Sequence, residues 1–113
     1  MKRVFVSSPF KADIERNSKK AQRYARYVYQ KGYLPIAPHL YFPQFLRETS
    51  ATERMSGIQF GLEFLAECKE VWVFGDDISE GMYLELTEAK RLGIPICYFT
   101  ETDGTFVESE VSA

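Results

Sequence analysis

A three-layer α/β sandwich built on a parallel sheet is the fold class this sequence predicts. Three observations carry it. Short apolar runs, Val4-Phe5-Val6, Leu34-Pro-Ile-Ala37, Val71-Trp-Val-Phe74 and Ile94-Pro-Ile-Cys-Tyr-Phe99, alternate with three longer segments of helical apolar spacing. Such alternation joins parallel strands through right-handed helical crossovers. Pro35, which has no backbone N–H to give a ladder, confines the second run to a sheet edge. The order that satisfies all three is flavodoxin-like, 2-1-3-4, with a weak fifth strand at 105–107 as an optional addition.

The elements follow in order. Residues 3–7 make a buried strand, stopped by Ser7-Ser8-Pro9. Asp13 caps a helix to Lys31 that Gly32 closes, with Ile14, Asn17, Ala21, Tyr24/Ala25 and Val28 on its inner stripe. Asn17 is the polar member of that stripe; it either bonds the backbone of the preceding loop or helps to shape a pocket. Residues 34–37 are the edge strand. Residues 38–49 form a loop rich in large side chains, among them His39, Phe42, Phe45 and Leu46, and loops this apolar fold back over the core or over a ligand. Ser50-Ala-Thr-Glu53 fits a capping box for a helix to Lys69. That helix has two apolar stripes, Met55, Ile58, Leu62 and Leu65 on one and Phe60, Phe64 and Cys68 on the other, with Gly57 and Gly61 permitting close approach. So small a domain can hardly cover both stripes, and a homodimer or higher homo-oligomer through this helix is expected. Residues 71–74 are the third strand, Ser79 opens a helix to Leu92 that Gly93 ends, and residues 94–99 are the fourth strand. Residues 1–99 thus form the α/β domain. Residues 100–113, with four acids and no base, are an acidic tail or a weak edge strand.

Composition narrows the partners. A net charge of −2 gives no footprint for a nucleic acid polymer or an acidic membrane, and the cations between Lys11 and Lys31 read as a solvated helix face. The two cysteines, Cys68 and Cys97, belong to no C-x-x-C pair and read as small buried hydrophobes in a reducing compartment. The N-terminus runs directly into a strand without a signal-type apolar region, and no apolar run approaches membrane length, so a cytoplasmic location is expected.

The chemistry concentrates in Phe74-Gly-Asp-Asp-Ile-Ser79-Glu-Gly81-Met-Tyr-Leu-Glu85. With Ser79 as N-cap, Met82, Leu86, Ala89 and Leu92 form the helix's apolar stripe, and Glu85 falls on its edge. Helical side chains lean toward the N-terminus, so Glu85 reaches over the turn of Gly81, where glycine leaves an opening. A half-buried acid facing a gap is either a satisfied core carboxylate or a nucleophile. In the predicted topology the loops 7–12 and 75–79 meet at the switch between the first and third strands, with 38–49 alongside, and Glu85 lies beneath that crevice.

Other chemistries lack their signatures. No G-x-G-x-x-G follows the first strand and no Walker P-loop is present, so no nucleotide cofactor is implied. The single histidine, His39, has no neighbour at metal-ligand spacing; it is structural or pocket-lining. A triad of Ser8, His39 and Asp77 has no nucleophile elbow to support it. A receiver-type phosphoacceptor would need an aspartate at a strand end, whereas Asp76 and Asp77 lie past Gly75 in the loop.

The first strand followed by Ser-Ser-Pro-Phe, and Ser79-x-Gly81-x-x-x-Glu85 at a helix start, resemble nucleoside 2-deoxyribosyltransferases and the related deoxynucleoside 5′-monophosphate N-glycosidase. Residues 35–46 and 68–75 resemble an uncharacterised branch of that superfamily, and the likeness spans residues 4–99. It implies a nucleophilic Glu85 and no cofactor or metal. It also implies a small-molecule nucleoside or nucleotide held by the loop Ser7, Ser8, Pro9 and Phe10 and beside Ser79 and Gly81; Asn17, His39, Phe42, Gly75, Asp77 and Met82 are further binding candidates from their place around the predicted crevice. Ser79 stands where the transferases carry an aspartate for the sugar 5′-hydroxyl and the monophosphate glycosidase carries serine. Lys69 stands where the transferases have an aspartate near the nucleobase. The activity implied is cleavage or transfer of an N-glycosidic bond through a glutamyl-deoxyribosyl intermediate, with Asp76, Asp77 or Glu80 assisting the departing base. The alternative is a nucleotide-binding module without turnover.

Overall fold

A computed structural model describes residues 1–109; the last four residues of the acidic segment lie outside the described residues. The chain runs β1 (Arg3–Ser7), α1 (Ile14–Gln30), β2 (Leu34–Ile36), α2 (Ala51–Ala66), β3 (Glu70–Phe74), α3 (Glu80–Leu92), β4 (Ile96–Thr102) and β5 (Thr105–Ser109). The sheet has five strands in the order β2-β1-β3-β4-β5, parallel except for the last pair. The predicted flavodoxin-like three-layer fold is the fold observed, with the Pro35 strand at the edge.

Side-chain alternation divides the core. Val4 and Val6 of β1 join Trp72, Phe74 and Phe99 beneath Tyr24 and Val28 of α1. Phe5 points the other way, into a cluster with Val71 and Val73 that Leu65 of α2 and Met82, Leu86 and Ala89 of α3 close. The α1 face is rich in aromatic contacts: Tyr24 stacks on Phe74 at 4.5 Å, and Trp72 and Phe74 both pack on Phe99.

Several boundaries moved, each for a local reason. β4 begins at Ile96 rather than at residue 94, because Pro95 cannot donate and offers only its carbonyl, to Val71 N at 2.9 Å. β4 also runs past residue 99 to Thr102. Asp103 and Gly104, at φ 51° and 79°, form a two-residue hairpin turn that returns the chain as antiparallel β5. α2 stops at Ala66, three residues short of the expected end, so that Lys69 N can reach Arg3 O and start β3. Its capping box is half made: Ser50 Oγ accepts from Glu53 N at 3.2 Å, but the Glu53 carboxylate takes Arg47 N instead of Ser50 N. Met55, expected on a buried stripe, is 61% exposed. Residues 38–49 are not plain loop; Pro38–Leu40 and Phe42–Gln44 are 3₁₀ turns, each with proline in its first turn. No helix among the described residues is long and apolar enough to cross a membrane.

β5 is held by more than its ladder, since Phe106 packs against Tyr24, Tyr27 and Phe74. Phe106→Ala is expected to lower stability by ~2 kcal/mol in urea denaturation. A loss within the error of the parent would mean that β5 adds nothing to the α1-side core.

Candidate active site

The site begins with the last residue of β1. Ser7 alternates onto the face of Phe5, the α3 side of the sheet, and is fully buried. Its hydroxyl donates to Glu85 Oε1 at 2.7 Å, joining sheet to helix across 78 residues of sequence. Ser79 caps α3, its Oγ accepting from Met82 N at 3.3 Å, and this fixes the helical phase that turns Glu85 toward Ser7. Burial pushes the Glu85 carboxyl up from 4.5 to about 7, and the Ser7 hydrogen bond opposes that rise only in part.

Glu85 lines a cleft of about 160 Å³, well above the ~10–15 Å³ that one water requires. Phe10, His39, Phe42, Ser79, Gly81 and Met82 line it as expected. A Cβ at Gly81 would meet nothing within 4 Å, and Gly81 and Glu85 both line the cleft. The remaining candidates do not line it. Asn17 donates to the carbonyls of Phe10 and Lys11 at 3.1 and 2.9 Å, the loop-bonding alternative, and so shapes the β1–α1 loop without lining the cleft. Gly75, at φ 104°, lies against Pro9, where a Cβ would sit 3.5 Å from the proline ring. Ser8 is buried, and its hydroxyl has no hydrogen-bond partner. Asp77 does not line the cleft.

Two further expectations are corrected. Lys69 precedes β3, at the opposite end of that strand from Gly75 and the cleft, so it stands away from any base bound beside Glu85. Of the three acids named for the departing base, only Glu80 lines the cleft; Asp76 acts electrostatically on Tyr24, on the α1 side of the sheet. His39 meets the Ser8 carbonyl rather than its hydroxyl, at 3.0 Å, which rules out a serine–histidine couple in this arrangement. Among the described residues no three His, Cys, Asp or Glu side chains gather as a metal-binding group.

Sequence reasoning set residues 38–49 beside the crevice but missed the wall that α2 adds. Leu46, Arg54, Gly57, Ile58 and Gly61 bring α2 and the 3₁₀ segment into the lining. The signal lay in Gly57 and Gly61: a Cβ at Gly57 would stand 3.5 Å from Leu46, and one at Gly61 3.9 Å from Pro38. The glycines lie where α2 packs on the 3₁₀ segment, and the cleft forms where the two meet α3. Arg54 and Lys11 line the cleft without a carboxylate partner among the described residues, while Glu48, Glu53 and Glu80 line it too.

A crevice at the carboxyl ends of parallel strands, with an acid of raised pKa inside it, is the candidate site of this α/β fold. More particularly, the chain belongs to the family described as a domain of unknown function, DUF7768, whose model matches residues 2–99. No curated protein matches the chain. Solved structures do match it. One is a 2-deoxyribosyltransferase from the psychrotolerant bacterium Bacillus psychrosaccharolyticus, at a TM-score of 0.71 and 19% identity, covering 89% of this chain and 74% of that one. At that identity the likeness is one of fold.

The raised Glu85 carboxyl has a consequence for stability. Between pH 4.5 and about 7 the folded state holds a proton that the unfolded chain releases, so stability falls as pH rises through that window. Above it, the buried carboxylate costs ~3 kcal/mol. Glu85→Gln is therefore expected to stabilise the fold by ~2 kcal/mol at pH 8 and to change it little at pH 4. Urea melts at the two pH values check this, and an equal effect at both would contradict a raised carboxyl.

Proposed function

We propose that this protein breaks or transfers the N-glycosidic bond of a 2-deoxynucleoside or its 5′-monophosphate, with Glu85 as nucleophile. The observation that carries the reading is Glu85 itself: an acid buried at the destabilising cost just described, held by a single hydroxyl, and lining the same cleft as Gly81. A core acid kept for packing would have its oxygens fully bonded. A desolvated carboxylate gains most from a cation formed beside it, and the sugar C1′ becomes cationic as the glycosidic bond stretches. The Glu85 oxygen then bonds to C1′, the C–N electron pair leaves with the base, and the base takes a proton. Water or a second base displaces the glutamyl ester with net retention. The fold shared with a 2-deoxyribosyltransferase supports this reading.

Apolar Phe10, Phe42, Leu46, Ile58 and Met82 suit a planar base. Ser79, the unpaired first amides of α3, Lys11 and Arg54 suit a 5′-phosphate. Glu48 and Glu80 oppose an anion, so the contrast between nucleoside and monophosphate measures that balance.

Incubation with deoxynucleosides and their monophosphates, with chromatography for free base, tests the activity. Turnover is expected to fall by ~10³-fold or more in Glu85→Gln, and kcat/KM of the parent is expected to rise with pH through about 7, as the nucleophile ionises. Nucleotide binding in calorimetry without release of base would replace catalysis by the binding-module reading. Ser79→Asp keeps the cap, since aspartate caps as serine does, but sets a carboxylate beside the same amides. Monophosphate affinity is expected to drop about tenfold or more in that variant, with the nucleoside little affected. Equal affinity for both ligands, unchanged by the substitution, would remove the phosphate from the proposal.

A homo-oligomer through α2 belongs to the same reading. Tyr41, Phe45, Met55, Phe60 and Phe64 are each at least 39% exposed, and all but Met55 are in ring contact with Phe42. Phe60→Glu is expected to yield a monomer in light scattering where the parent assembles; a monomeric parent at tens of micromolar, an order-of-magnitude working concentration, would refute it.

A further inference from the structure

We infer that His39 is a positioning residue for Glu85, acting through the backbone of Ser8 and the hydroxyl of Ser7. The inference rests on the glutamyl chemistry proposed above for its meaning, but its readout does not require turnover.

Ser7 is the last residue of β1 paired with β3, opposite Val73. The next carbonyl, that of Ser8, lies beyond the ladder, and the Ser8 hydroxyl has no partner with which to fix the residue. The Ser8 carbonyl instead receives His39 Nε2 at 3.0 Å. A carbonyl only accepts, so Nε2 carries the proton, and burial keeps the ring below the usual histidine range and neutral at pH 7. The ring is held on a second side by Phe10, stacked at 4.6 Å and 17°, and Phe10 is itself tied through its carbonyl to Asn17. Pro38 before it is buried, and the backbone of α2 at Gly61 lies against Pro38. A line of contacts therefore runs from α2 through Pro38 and His39 to Ser8, and through Ser7 to the carboxyl.

The Ser8 carbonyl belongs to the Ser8–Pro9 peptide, so His39 anchors the chain one residue beyond Ser7; freeing that anchor lets the end of β1 shift, and the 2.7 Å hydrogen bond from Ser7 to Glu85 is sensitive to such a displacement. Losing His39 can act on Glu85 in two ways of opposite sign. If His39 holds Ser7 in place, its removal weakens a bond that favours the ionised carboxylate, and the Glu85 pKa rises. If His39 merely shields the cleft, its removal admits water, and the pKa falls. The titratable groups sharing the cleft with Glu85 are Lys11, His39, Glu48, Glu53, Arg54 and Glu80. Only His39 is joined by hydrogen bond to the residue next to Ser7.

The experiment is a carboxyl ¹³C NMR titration of Glu85 in the parent and in four variants. Ser7→Ala sets the scale, an upward shift of about one unit. His39→Ala is expected to shift Glu85 upward by a large part of that amount. His39→Gln, whose Nε2 can still donate to the Ser8 carbonyl, is expected to stay at the parent value. Ser7→Ala/His39→Ala is expected to titrate no higher than Ser7→Ala alone, since both act on one bond. Should His39→Ala not fold, His39→Asn, too short to reach the carbonyl, takes its place. A downward shift, no shift, or a glutamine variant that moves as alanine does overturns the inference. In an active enzyme the ascending limb of kcat/KM moves with the titration; in an inactive one the titration decides the role of His39 by itself.

Discussion

The site depends on β1, a strand buried on both faces and paired on both edges, as its neighbour β3 is. β1 lies between β2 and β3, sends Val4 and Val6 into the aromatic layer under α1, and sends Phe5 into the layer under α2 and α3. Ser7 ends it on the Phe5 side. A hydroxyl there, already desolvated, needs an acceptor, and the structure supplies the Glu85 carboxyl. β1 thereby contributes to both layers of the core and to the position of the Glu85 carboxyl.

Glu85 is where stability and the proposed chemistry oppose each other. An isosteric neutral side chain at that position would relieve a buried charge at neutral pH, and the fold bears that cost as active sites commonly do. The acids elsewhere behave differently. Glu70 is held below the ordinary carboxyl range, against its burial, by Lys2 and the Trp72 indole, and Glu88 likewise by Arg91. Those carboxylates have cationic partners, whereas Glu85 has a serine.

The cleft is shared among three parts of the chain: the β1–α1 loop, the 3₁₀ segment with α2, and the N-terminal turns of α3. Phe42 joins the site to the surface. It lines the cleft while stacking on Phe64 at 5.3 Å and touching Phe60, both on the exposed side of α2. Any partner covering that aromatic face would bear on the wall of the cleft through one ring.

The sequence by itself determined the layers and part of the cleft's lining. Pro35 fixed an edge, the alternation of β1 sent Ser7 to the α3 side, and Ser79 set the phase that turns Glu85 inward, because strand alternation, proline chemistry and helix capping act over a few residues. The Asp103-Gly104 pair was also a legible hairpin signal, though a short polar segment beside an acidic tail obscured it. Tertiary structure decided the rest. Whether Asn17 met a ligand or a backbone carbonyl, which of Asp76, Asp77 and Glu80 faced the cleft, and that Lys69 stood at its wrong end all depended on how strands and helices pack across the sheet. The α2 wall likewise came from two glycines meeting Pro38 and Leu46, eleven or more residues earlier in the chain. Local pattern specifies the direction of a side chain along its own element; only the packing of elements specifies what waits for it there.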